Sequence, residues 1–374
     1  MLSAGTISNK LHCPPPTADN NLRGTLPSEL RHLRDLQGIS MFRNGLSGTI
    51  PSLAEFSSLQ SIDLEENELV GPAFVSLPTS MASYRVSLNQ LTGTIPNVLP
   101  PTMRELWAAG NSLSGTIPAT LGSSSFLESL ILFGSNLSGS IPSELGELNG
   151  LSRLQLYMNN LSGTIPNDLY RLTSIAEIRL EKNNLDGTLS SSIGNWQNLA
   201  DLRLGENRFN GSIPPELWSL TNLAVLLANA TNFVGTIPDA FGGFSNLVLL
   251  DVSSNMIMGT IPPSIFDTDI QFLYLADNAF TGTIPESFTD ASALRDLYIY
   301  GNELTGTVPS AQDANDLSTL SEFRLENNLI TGTIPEELCA LRGDDDDALT
   351  TLFADCGGAI PRIRCDCCNG CSDP

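Results

Sequence analysis

Lysine is nearly missing from this chain of 374 residues: Lys10 and Lys182 are the only two. Together Lys and Arg number 18 against 41 acidic residues, a net charge of -23. Phosphate backbones and anionic membrane surfaces are bound by clustered Lys and Arg. Their scarcity excludes nucleic acid as a partner. Histidine is as rare, with His12 and His32 both near the N-terminus. No Ser–His–Asp or Cys–His set, phosphate-binding loop or metal-ligand spacing is found. Carboxylates such as Glu177 and Asp201 stand beside arginines, which keep them ionised rather than poised as acids. The reading is therefore no enzyme and no cofactor. Long apolar runs are absent too; none approaches the roughly 18 residues that would cross a bilayer, so no membrane insertion is expected within this chain. The opening MLSAGTISNKLHC lacks the apolar stretch of a signal peptide. A leader already removed, or a fragment, would both account for it.

What is abundant is repetition. NNLSGTIPNDL (159–169) returns almost word for word as NQLTGTIPNVL (89–99), NSLSGTIPATL (111–121) and NLITGTIPEEL (328–338). The glycines of these phrases are Gly24, Gly48, Gly71, Gly93, Gly115, Gly139, Gly163, Gly187, Gly211, Gly235, Gly259, Gly282, Gly306 and Gly332, mostly 24 apart. Fourteen copies at one period mean a solenoid of about 14 coils. Four residues before each glycine stands Asn, except at Ser135 and Thr231. Apolar residues precede that Asn by five and three, as at Leu154 and Leu156, which completes LxxLxLxxN. The alternating leucines predict one short strand per coil. A single coil cannot bury its leucines, so the coils must stack. The Asn side chain carries donors and an acceptor for backbone groups that a turn leaves unpaired.

This LxxLxxLxLxxNxLSGxIPxxL pattern resembles the plant-type leucine-rich repeats of receptor-kinase ectodomains, polygalacturonase inhibitors and secreted algal proteins. It covers 20–338. The tail, LFADC (352–356) followed by CDCCNGC (365–371), is similar to the Cys-rich cap after the repeats of diatom-type proteins. The resemblance implies an α/β-type repeat solenoid: a right-handed superhelix with a concave parallel β-sheet, a second small strand at LSGTI, and few short helices or 3-10 turns on the convex side. The expected organisation is an N-terminal cap or truncated repeat over 1–19, repeats over 20–338 and a Cys-rich cap over 339–374. Gly71 is followed by PAF and Gly187 by TLS, and a kink or loop is expected around 72–89.

Six of the seven cysteines fall in the last 36 residues: Cys339, Cys356, Cys365, Cys367, Cys368 and Cys371. An even cluster at one end predicts disulfides and an oxidising compartment, hence an extracellular, secreted or cell-surface protein. The alternative is a zinc knot, which CxCCxxC without a nearby His fits poorly. Cys13 stands alone. Sequons at Asn136, Asn160, Asn210 and Asn229 would carry glycans in a secreted eukaryotic protein. RGDDDD (342–347) reads as an exposed loop whose carboxylates would support weak calcium association, although its spacing matches no calcium loop.

The residues between the strand leucines are expected to face solvent. Phe42 stands there near the N-terminus. Trp107, Ile131, Phe133 and Tyr157 fall on adjacent coils, as do Phe272, Tyr274, Tyr298 and Tyr300, with Asp251 beside them. Arg153, Arg179 and Arg203 lie between. In a chain only 6% aromatic, such clusters have the composition of binding hot spots. Mutual packing and salt bridges would be the ligand-free account. The primary reading is a recognition module for a protein, peptide or glycan.

One letter resists assignment, the threonine after each glycine: Thr94, Thr116, Thr164, Thr188, Thr236, Thr260, Thr283, Thr307 and Thr333 among them. A second hydroxyl often precedes the glycine. Two hydroxyl files on a flat flank resemble an ice-binding face. That reading, or a purely structural solenoid, is the alternative; β-propensity alone also favours Thr there. Inhibition of a secreted polysaccharide-degrading enzyme is a third, resting on the resemblance.

Overall fold

The computed structural model describes residues 20–33, 35–310, 317–343, 349–358 and 362–373. The expected cap over 1–19, with Cys13, and the acidic run 344–347 lie outside them. The chain forms two compact units, 1–185 and 186–374.

In the N-terminal unit each coil contributes two short strands. The main sheet is built from Gly38–Ser40, Ser61–Asp63, Ser83–Arg85, Glu105–Trp107, Ser129–Ile131, Arg153–Gln155 and Glu177–Arg179, all parallel and in one register. A second sheet follows the flank, with Gln90–Thr94, Ser112–Thr116 and Asn136–Gly139 typical of its strands. Several coils close through a 3-10 turn such as Ala119–Ser123 or Asn167–Arg171, entered from a proline in extended conformation. The irregular coil expected around 72–89 is filled differently. Tyr84 takes a leucine position, is fully buried, and donates its hydroxyl to the Ala73 carbonyl at 2.5 Å.

In the C-terminal unit the main sheet runs through Asp201–Arg203, Val225–Leu227, Leu249–Asp251, Phe272–Tyr274, Asp296–Tyr298 and Glu322–Arg324. It continues into the Cys-rich segment as Thr351–Ala354 and Gly370–Cys371. The cap is thus built on the repeat's own sheet. Its six cysteines pair as Cys339–Cys367, Cys356–Cys371 and Cys365–Cys368. The zinc alternative is set aside, since all six thiols are used in disulfides. A short α-helix, Glu336–Ala340, enters the cap.

The turn physics repeats. From Asn44 onward the residue before each column Asn is left-handed, for example Met158 at φ 54° and Gly301 at φ 64°. Such a conformation costs a non-glycine residue about 1 kcal/mol and persists only when neighbours enforce it. The Asn enforces it. Asn159 Nδ2 donates to the carbonyls of Leu132, Leu156 and Tyr157 at 3.0, 3.0 and 3.3 Å. Its Oδ1 accepts the Leu137 amide at 3.0 Å. Each Asn therefore ties its own turn to the preceding coil. Ser135 is the weaker substitute: its hydroxyl oxygen is buried without a partner. Thr231 Oγ1 donates to Asn255 Oδ1 at 2.6 Å instead. At the C-terminal end Asp355, fully buried, accepts the amides of Asn327 and Asn328 at 2.7 and 3.0 Å.

Candidate functional site

Alternation in the main strands turns every second side chain away from the core, and within each unit this places the expected residues on the solvent-facing side of the main sheet. Phe42, Trp107, Phe133, Tyr157, Phe272, Tyr274, Tyr298 and Tyr300 are all half-buried there rather than fully exposed. Ile131, expected among the accessible residues, is buried at 7% exposure. So are Ser87, Ala109, Ser129, Ala276 and Glu326 in the same columns, because bulky neighbours on adjoining coils cover them.

The N-terminal unit holds a clasp around Trp107. The Arg85 guanidinium lies 3.9 Å from the indole centroid and that of Arg153 lies 5.0 Å from it. Arg85 is fixed by Glu105 at 2.7 Å, and Arg153 reaches the same carboxylate at 3.9 Å. Burial opposes ionisation of Glu105. Hydrogen bonds from Ser83 and Arg85, with the two guanidinium charges, outweigh it and hold the carboxyl below its usual range. Nearby, burial pushes Asp63 and Glu65 up. Phe133 and Tyr157 stack at 4.3 Å with their planes 8° apart. Arg179 pairs with Glu177 at 2.6 Å, and in the C-terminal unit Arg203 pairs with Asp201 at 2.8 Å. The expected arginines are thus held by local carboxylates.

The C-terminal unit holds a tyrosine row. Asp251, Tyr274, Tyr298 and Arg324 stand opposite one another on successive strands, as do Phe272, Asp296 and Glu322. Tyr274 donates its hydroxyl to Asp296 at 2.7 Å, and Tyr298 donates to Glu322. The two rings are 4.8 Å apart. Arg324 binds Glu326 and lies against Tyr300 at 4.5 Å and Phe353 at 5.3 Å. Burial is the main cause that raises Asp251 and Asp296, and the Glu322 charge adds to it at Asp296. Burial, then the bonds to Asp296 and Glu322, raises the tyrosine hydroxyls. Phe353 and the clasp arginine Arg85 were not singled out in the sequence. Alternation in TLFA and SYR is the signal that would have found them.

The flank carries the threonines. Thr94, Thr116 and Thr164 in the N-terminal unit, and Thr188, Thr236, Thr260, Thr283, Thr307 and Thr333 in the C-terminal unit, are exposed. Their methyls face the next coil: Cγ2 of Thr116 and of Thr260 lie 3.0 and 2.9 Å from where Cβ atoms on Gly139 and Gly282 would sit. The second hydroxyl file is also engaged. Thr92, Ser138, Thr305 and Thr331 donate to the glycine carbonyls of the preceding coil at 3.2, 3.3, 3.0 and 3.3 Å. The file is broken in the C-terminal unit, where Val234 and Met258 occupy it and are exposed. Three sequon asparagines, Asn136, Asn160 and Asn210, are exposed on flank strands. Asn229 is different: it is half-buried on the main-sheet face, and its sequon Thr231 is buried and hydrogen-bonded. Among the described residues no group of three or more His, Cys, Asp or Glu side chains could hold a metal ion. No described helix is long and apolar enough to cross a membrane.

The Leucine Rich Repeat family matches residues 246–267, 269–291 and 319–341. A 54-residue stretch, 14% of the chain, is 50% identical to 6% of the receptor-like kinase TMK4 of Arabidopsis thaliana. Among solved structures, the Arabidopsis receptor kinase HAESA, in complex with the peptide hormone IDA and the co-receptor SERK1, is 32% identical at TM-score 0.81, covering 90% of this chain and 56% of its own. The chain thus spans little more than half the length of that ectodomain. A plant ice-binding protein is 25% identical at TM-score 0.54, covering 64% of this chain and 78% of its own. With its repeat phrase, parallel strands and Asn ladder, the chain is a leucine-rich-repeat solenoid, similar to the leucine-rich-repeat ectodomains of plant receptor kinases.

Proposed function

We propose that the chain is an extracellular recognition module that binds a protein or peptide through the solvent-facing side of its main sheet. The observation that carries this reading is the placement of the aromatics. Trp107 in one unit and Tyr274, Tyr298 and Tyr300 in the other stand half-exposed on a β face, oriented by charged neighbours. Oriented aromatics flanked by arginine are the composition of interface hot spots. The HAESA complex, with its peptide hormone and co-receptor, supports a peptide or protein over a small molecule. Paired cysteines support an oxidising, extracellular setting. Inhibition of a secreted enzyme would be a special case of protein binding by the same face.

Panning a random peptide library on the oxidised chain, beside a glycan array, tests this. Peptides should be enriched, and Trp107→Ala or Tyr298→Ala should weaken their capture at least tenfold. No enrichment, or equal capture by both variants, would overturn the reading. The likeness to a plant ice-binding protein keeps the threonine flank as the second reading. The hydroxyls spent on glycine carbonyls speak against it. Inhibition of ice recrystallisation by the wild-type chain, lost in Thr116→Val/Thr164→Val, would favour it.

A further inference from the structure

We infer that the tyrosine row of the C-terminal unit takes its ligand through a lysine or arginine side chain laid over Tyr274 and Tyr298. This rests on the recognition reading above and names the chemistry one of its two clusters selects. Geometry comes first. Both phenol hydroxyls are donated to carboxylates on the next strand, Tyr274 to Asp296 at 2.7 Å and Tyr298 to Glu322. The rings are thereby fixed, and their donors are used up. What they leave for a ligand is half-exposed π surface, which attracts cations, most strongly where water is thin.

Charge points the same way. Asp251, Asp277, Asp296, Glu322 and Glu326 act on this row, against Arg295 and Arg324. Arg324 is committed to Glu326 and to the faces of Tyr300 and Phe353, and it reaches the rim of Tyr298 at 5.7 Å, which leaves Tyr274 with no guanidinium over it among the described contacts. It leaves Asp251 and Asp296 without a cationic hydrogen-bond partner among the described contacts; Asp251 bonds only Ser253 there, at 2.9 and 2.6 Å. Both carboxylates are partly desolvated. The side chain of Glu326 is 4% exposed, and its Oε2 accepts no hydrogen bond. A ligand cation would offset what burial and mutual repulsion cost these groups. An anionic ligand would add to that cost, and a neutral sugar would gain stacking but nothing from the acids.

The Trp107 clasp has the opposite preference. Its ring faces two guanidiniums that belong to the protein, so the cation sites over the indole are already filled. The cationic choice is therefore assigned to the tyrosine row, where Arg324 covers Tyr300 and only reaches Tyr298 at 5.7 Å and no guanidinium lies over Tyr274 among the described contacts.

The test uses the oxidised full chain and fluorescein-labelled Gly/Ser nonapeptides whose central residue is Arg, Lys, Leu or Glu, read by fluorescence anisotropy. Arg and Lys peptides should bind at least tenfold more tightly than Leu or Glu peptides. Asp251→Asn/Asp296→Asn should abolish that preference. Glu66→Gln/Glu68→Gln, which removes two charges in the other unit, should not. Circular dichroism and thermal melts check that each variant is folded. Equal binding of Arg and Leu peptides would overturn the inference, as would an equal loss in Glu66→Gln/Glu68→Gln, which would reduce it to general surface charge. Peptide binding that is lost in Tyr298→Ala yet indifferent to the central residue would leave recognition standing and sink only the cationic choice. Binding of no peptide, or of glycans alone, would sink both.

Discussion

A Cβ on Gly306 would fall 2.8 Å from Cγ2 of Thr283, one coil earlier. That contact explains the threonine as part of the scaffold. The glycine supplies a left-handed turn at φ 79°, and the methyl of the preceding threonine fills the space a side chain would need. The pair recurs along the flank, and an exception inside the repeats is instructive. Where Pro72 replaces the threonine, Gly93 has nothing within 4 Å.

Gly306→Ala should therefore destabilise the chain through two separable causes. The positive φ alone costs about 1 kcal/mol. The clash with Thr283 adds to it, for about 2–3 kcal/mol in all. Gly93→Ala should show only the first. A double-mutant cycle with Thr283→Ala, followed by urea denaturation, should recover at least about 0.5 kcal/mol of coupling. Additivity would mean that the methyl contact carries no energy.

Asn302 gives the second prediction. Its Nδ2 donates to the carbonyls of Leu275, Ile299 and Tyr300, and its Oδ1 accepts the Phe280 amide, at 3.0, 3.0, 3.2 and 3.0 Å. Asn302→Ala leaves the Phe280 amide without its acceptor in a buried turn, while the Leu275, Ile299 and Tyr300 carbonyls keep the Asn278 side chain, the Asn328 side chain and the Asp277 amide. At roughly 1–3 kcal/mol for a buried group left unsatisfied, the loss should be about 1–3 kcal/mol. Asn302→Thr should cost less, since Thr231 fills the same column in another coil with its hydroxyl donated to Asn255 Oδ1. A loss below that of ordinary surface substitutions would show the ladder to be dispensable.

These two relationships mark how far the sequence could be read. The Asn column and the leucine alternation were legible because each letter repeats and each obeys a local rule. Leu154, Leu156 and Asn159 sit as the period demands. The threonine was not legible, since its contact lies in the next coil, more than twenty residues away. Nor were the clasp on Trp107, the phenol bonds to Asp296 and Glu322, or Asp355 ending the ladder. Each depends on which rotamer meets which neighbour across coils, and a pattern along one strand does not encode that. Burial of Ile131 was missed for the same reason, because a column position says which way a side chain points and not what covers it. Disulfide pairing among six clustered cysteines was equally open until the cap strands placed them.

The cap disulfides should rank by the loop each closes. Cys339–Cys367 spans 28 residues and Cys365–Cys368 spans 3. On the chain-entropy account, the first constrains the unfolded state by about 3.6 kcal/mol and the second by about 1.6 kcal/mol. Replacing Cys339 and Cys367 by Ser should lower the midpoint of chemical denaturation more than replacing Cys365 and Cys368. Peptide mapping of the unreduced chain checks the pairing itself. The reverse ranking would mean that the short bridge holds native structure rather than restricting the unfolded chain.

Asp251 carries the pH prediction. Burial raises its folded-state pKa above the unfolded value, despite hydrogen bonds from the Ser253 hydroxyl and amide. The folded state then holds the proton more tightly than the unfolded state does. Its contribution to stability is complete below the ordinary carboxylate range and is lost as pH rises through the raised folded value. Asp251→Asn removes the charge while keeping an oxygen that can accept from Ser253. The variant should be more stable than wild type at pH 7, and its advantage should shrink toward zero near pH 3. Paired urea titrations at the two pH values read this directly. An advantage that grows as the pH falls would mean that the hydrogen bonds to Ser253, and not burial, govern this carboxylate.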